Sequence, residues 1–126
     1  MISYELYKVI HLVGVLVLFS VLGGAMVHAI NGGTPATNAA RRSITILHGT
    51  GLLIILVAGF GLVARLDLLS GGVPGWVIGK LLIWLLAGIL LTVPRQKPAL
   101  ARPILLAGLP ILAAAAAWLA VYKPGN

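Results

Sequence analysis

Four apolar stretches, each long enough to cross a lipid bilayer, account for most of this chain: Tyr4–Ile30, Ile44–Ala64, Val73–Val93 and Pro103–Tyr122. A spanning helix needs about 20 mostly apolar residues, and every stretch meets that length. Hydrophobic residues make up 60% of the 126 positions and charged ones 9%. A water-soluble domain of this size has too little interior to hide so much apolar surface. The runs are continuously apolar. A membrane barrel would instead alternate polar and apolar residues in segments of about 10. The expected fold is therefore all-α, a single integral membrane bundle of four transmembrane helices.

The formal charge of +7 has a different meaning here from the one it has in a soluble protein. The basic residues flank the spans, so they point to membrane topology and lipid headgroups, and no nucleic-acid partner is expected. The connections Asn31–Ser43 and Pro94–Arg102 fall on one side and hold Arg41, Arg42, Arg95, Lys97 and Arg102 without an acid. The opposite side mixes Glu5, Lys8, Arg65, Asp67 and Lys123. By the positive-inside rule the acid-free side is cytoplasmic and both termini lie outside. Tyr4, Tyr7, Trp76, Trp118 and Tyr122 are all expected near that outer boundary, as an interfacial belt, with Trp84 deeper. The first span exceeds the 7–15 apolar residues of a secretory leader, and Glu5 interrupts its start, so it reads as a retained helix.

Gly and Pro mark the helix ends. Pro103 suits a first turn, whereas Pro110 should bend the last helix because it removes a backbone donor. Gly14, Gly51 and Gly59 are among the glycines that would let helices approach closely, which in lipid replaces the hydrophobic effect as the source of packing.

Polar side chains inside the spans are the candidates for chemistry. One group is expected toward the outer side: Lys8, His11 and Lys80. Lys8 and His11 share a helix face. His11 lies about two turns into the first span and Lys80 about two turns into the third, so the two sit at similar depth. If those helices are neighbours, an imidazole able to bind haem iron or a metal meets an ammonium able to pair with a propionate. The competing reading has equal weight: both lysines snorkel to headgroups and His11 is a hydrogen-bonded core histidine.

The second group is His28 and His48, expected near the cytoplasmic surface. Ser20, Gly24 and His28 share one face of the first helix, and His48, Gly51, Ile55 and Gly59 share one face of the second. Two imidazoles on neighbouring helices could ligate one haem. The alternative places His28 at the interface and bonds His48 to a backbone carbonyl or to a hydroxyl such as that of Thr45. Other chemistries lack parts. There is no HExxH, phosphate loop or nucleophile elbow. There is no cysteine, and only Met1 and Met26 offer sulfur, so no metal site is expected from the protein's own ligands. Glu5 and Asp67 are the only acids, and neither is placed for an intramembrane proton relay.

The run YKVIHLVGVLVLFSVLGG, from Tyr7 to Gly24, resembles the opening helix of a loose group of bacterial membrane proteins. The group includes HemJ-type protoporphyrinogen oxidases, CopD-type copper-resistance proteins and SirB-type proteins. The run PGWVIGKLLIWLLAG, from Pro74 to Gly88, is similar to their corresponding third helix. The resemblance implies a bacterial inner-membrane location. It also implies haem ligation at His11 and an activity-related lysine at Lys80. The reading that follows is a small haem- or porphyrin-associated membrane protein, the haem being of b type, in a redox or haem-handling role. The alternatives are a non-catalytic subunit or assembly factor, packed against other subunits or further copies of itself, and small-ion or metal transport. Whether the protein is an enzyme is left open.

Overall fold

The computed structural model describes residues 2–124, so Met1 lies outside the described residues. Four helices are long and apolar enough to cross a membrane: α1 (Tyr4–Ile30), α2 (Arg41–Arg65), α3 (Gly75–Gln96) and α4 (Pro98–Tyr122). No strand occurs among the described residues. Much of the outer surface is apolar. Leu16, Leu53, Val57, Leu82, Leu106 and Val121 are all more than half exposed. A patch of that extent is unfavourable in water and well suited to acyl chains.

Consecutive helices run antiparallel. Tyr7 packs on Gly61, His11 on Ile55 and Gly59, and Gly14 on Gly51. Trp84 of α3 reaches Leu52 of α2, and Gly79 of α3 meets Leu119 of α4. The central core is built on Leu18, Leu22 and Ala25 of α1. These pack with Ala87 and Leu91 of α3 and Leu109 and Leu112 of α4. The first helix is thus the hub, and the last is the least buried of the four.

The first connection is shaped by local hydrogen bonds. Gly32 takes φ +82°, a conformation that costs glycine little, and carries the chain out of α1. Thr34 and Thr37 then cap a short 3₁₀ turn, Pro35–Thr37, and the Asn38 side chain accepts the Ala40 N–H. Helix α2 begins at Arg41, a turn before the apolar run starts at Ile44, so Arg41 and Arg42 belong to the helix and not to the loop.

The third connection departs most from expectation. Pro94 was expected to end α3, yet the chain stays helical from Thr92 to Gln96 and again from Pro98, so that Lys97 alone joins α3 to α4. The disruption appears earlier, at Leu90–Leu91. Pro94 cannot donate to the carbonyl four residues back, that of Leu90, and its ring crowds it. The break falls there, and the Thr92 hydroxyl donates to Ile89 O at 2.8 Å nearby. Pro110 acts in a related way. A π turn, Ile104–Gly108, precedes it, so the helix is widened in the turn that lacks the Pro110 donor.

Candidate functional site

The crossing of α1 and α2 builds the site of His11. Gly14 lets the two backbones meet: a Cβ there would lie 2.9 Å from Ile54 Cγ2 and 3.3 Å from Gly51 O. One turn toward the N-terminus, this approach lays the His11 ring on α2. Its Nδ1 is 3.1 Å from Ile55 O. A carbonyl only accepts, so Nδ1 carries the proton and Nε2 keeps its lone pair. Gly59 gives the ring edge its place, since a Cβ at residue 59 would stand 3.3 Å from His11 Cε1. The imidazole is 8% exposed.

Lys80 completes the contact from α3. Its Nζ lies 3.5 Å from His11 Nε2, so the ammonium donates to the one free lone pair of the ring. The expectation that the first and third spans bring these residues together at one depth is met in the geometry. Lys8 is not part of the cluster and lies exposed.

Two further groups gather here that the sequence reading did not bring to this site. Trp76 stands one helical turn before Lys80, buried, with an indole N–H that has no hydrogen-bond partner among the described residues. Lys123 closes α4 in the left-handed conformation, φ +49°. Its Nζ donates to Ala120 O at 2.7 Å and lies 5.6 Å from the centre of the Trp76 ring. It is near enough to Lys80 for like-charge repulsion. Among the described residues no carboxylate pairs with either lysine, and Glu5 and Asp67 are both exposed. The i, i+4 spacing of Trp76 and Lys80 was a usable signal. Trp76 was instead assigned to an interfacial belt, and its burial corrects that. Trp118 and Tyr122 are exposed, with ring centres 5.6 Å apart, as a belt requires.

His28 and His48 are held by different partners. His28 Nε2 donates to Thr34 O at 2.9 Å and lies 3.2 Å from Thr37 Oγ1, so it braces the first connection. His48 is buried between α2 and α3, with Nε2 donating to Ala87 O at 3.1 Å. The expected shared face fails on the α1 side. Ser20 and Gly24 are exposed, and Gly24 has open space around its missing Cβ. Trp84 Nε1 donates to Leu52 O at 2.9 Å, so α2 and α3 each receive a side-chain bond on a backbone carbonyl.

No protein-family model, curated protein or solved structure matches this chain. The runs Tyr7–Gly24 and Pro74–Gly88 supply the two side chains that touch, His11 and Lys80.

A haem can be tested against this donor set. His11 offers an imidazole whose Nδ1–H is anchored on a carbonyl, the arrangement that orients metal-binding histidines. Lys80, Lys123 and the unpaired Trp76 N–H are donors suited to carboxylates. The polar ends of a haem therefore fit the chemistry present. Lys80 stands where iron would approach Nε2, so ligation requires that ammonium to swing away on its flexible stem.

Proposed function

We propose that this protein lies in the bacterial inner membrane, with both termini outside, and binds a haem or related porphyrin at the outer ends of α1 and α3. The observation that carries the proposal is the contact between His11 Nε2 and Lys80 Nζ, set beside an orphaned indole N–H and a second lysine with no carboxylate partner among the described residues. A like-charged cluster with no acid among the described residues is costly in low dielectric and is relieved by an anionic ligand. His11 would hold the iron. Lys80 would leave the ring and pair with a propionate, assisted by Lys123. Bound haem would supply redox-active iron.

The test is an absorption spectrum and haem content of gently purified protein. Wild type should show a Soret band that His11→Ala abolishes. Lys80→Gln should weaken retention, while His28→Ala and His48→Ala should keep it. Loss in the two inner variants, with retention in His11→Ala, would move the site to the cytoplasmic end. Haem-free wild type would remove the cofactor reading.

The second reading is a packing subunit of a larger membrane assembly. The Gly14–Gly51 crossing favours it, because such crossings serve helix association and need no ligand.

A further inference from the structure

The opposite end of the bundle contains a groove that the haem reading does not use. It has a volume of about 410 Å³ and lies between the end of α1 and the start of α4. Ala29, Ile30 and Ala99 supply apolar wall, while Gly33, Thr34 and Arg102 bring polar groups. Its size falls in the range of small-molecule sites, about 300–1,000 Å³. Arg102 is exposed and has no hydrogen-bond or ion-pair partner among the described residues. Arg41, Arg42, Arg95 and Lys97 share this end, whereas both acids of the chain, Glu5 and Asp67, belong to the other end. Ala99 sits in the first turn of α4, where backbone N–H groups have no intrahelical acceptor.

We propose that this groove seats one anionic phospholipid. The phosphate is held by the Arg102 guanidinium, and the glycerol and first acyl carbons lie along Ala29, Ile30 and Ala99. The chemistry is directional. A guanidinium presents paired donors that match phosphate oxygens, and the wall behind it is apolar where a soluble anion would gain nothing. Basic recesses between helix ends are suited to headgroups for this reason. The site depends on the groove and its arginine, not on the haem reading or on which leaflet this end faces.

The experiment is native mass spectrometry of detergent-purified full-length protein titrated with phosphatidylglycerol or phosphatidylcholine, with inorganic phosphate as competitor. Wild type should retain one phosphatidylglycerol in preference to phosphatidylcholine, and phosphate should not displace it. Arg102→Gln should weaken retention at least about tenfold, the effect of losing a charge-assisted hydrogen bond to the phosphate. Ala99→Trp fills the groove at unchanged charge and should weaken it similarly. Arg42→Gln removes the same charge from an exposed position outside the groove, where solvent screens it, and should change retention less than about twofold. Equal losses in Arg102→Gln and Arg42→Gln would overturn the site in favour of diffuse attraction. Equal retention of the two lipids, unchanged retention in Ala99→Trp, or displacement by phosphate would each overturn it as well. Thermal unfolding of lipid-free variants separates loss of the site from loss of the fold.

Discussion

Two glycines on α1 face opposite surroundings. A methyl group on Gly14 would press on Ile54, Ile55 and the Gly51 backbone, whereas one on Gly24 would meet nothing within 4 Å. Gly14→Ala should therefore destabilise the bundle by about 1–3 kcal/mol, the usual cost of overpacking. Gly24→Ala should change stability by less than about 0.5 kcal/mol. Unfolding in mixed micelles, followed by circular dichroism, measures both, and equal effects would contradict the crossing described. Gly59→Leu tests the neighbouring position: the longer side chain must displace the His11 ring, so under the proposed haem function retention should fall to the level expected of His11→Ala. The pairing of His11 with Lys80 was legible in the sequence because depth along a helix follows from counting residues. The separation of His28 from His48 was not, because depth carries no information about which way each face turns. Trp76 was misread for the same reason: an aromatic residue at the interface can turn outward to lipid or inward to a lysine.

At the level of elements, the four spans were readable because continuous apolar runs leave few alternatives. Their ends were less so. Arg41 and Arg42 continue a helix whose polar tip reaches past the apolar run, and the Pro94–Arg102 segment reads as a loop in the sequence because prolines usually end helices. Proline also opens helical segments, and the structure uses it that way at Pro98. Pro94→Ala should let the α3 ladder close across Leu90–Leu91. The new amide of residue 94 should then be protected from hydrogen exchange, at about the level of the α3 interior. Rapid exchange there would mean that the break has another cause. Trp84→Phe removes one of the α2–α3 hydrogen bonds, leaving those of His48 to Ala87 O and Arg95 to the Thr45 hydroxyl, and its expected cost is about 0.6–1.7 kcal/mol, as for interhelical hydrogen bonds in lipid.

For the whole molecule, the antiparallel order puts both termini at the end with His11, Lys80 and Lys123, and gathers Arg41, Arg42, Arg95, Lys97 and Arg102 at the other. The acid-free end should stay in the cytoplasm. A reporter fused to the C-terminus should therefore register the external side, and a cytoplasmic signal would exchange the two ends.

The hub position of α1 also bears on how the protein is made. Of the four helices, the first to leave the ribosome is the one that the finished bundle covers most, and the last is the one it covers least. While synthesis continues, α1 has no partner for its Leu18–Leu22 face. The α1–α2 hairpin is the earliest unit that can close, and α4 arrives at a platform already built. The nascent chain is thus most exposed to wrong partners between the emergence of α1 and that of α2, when a membrane chaperone would find the Gly14 notch still open.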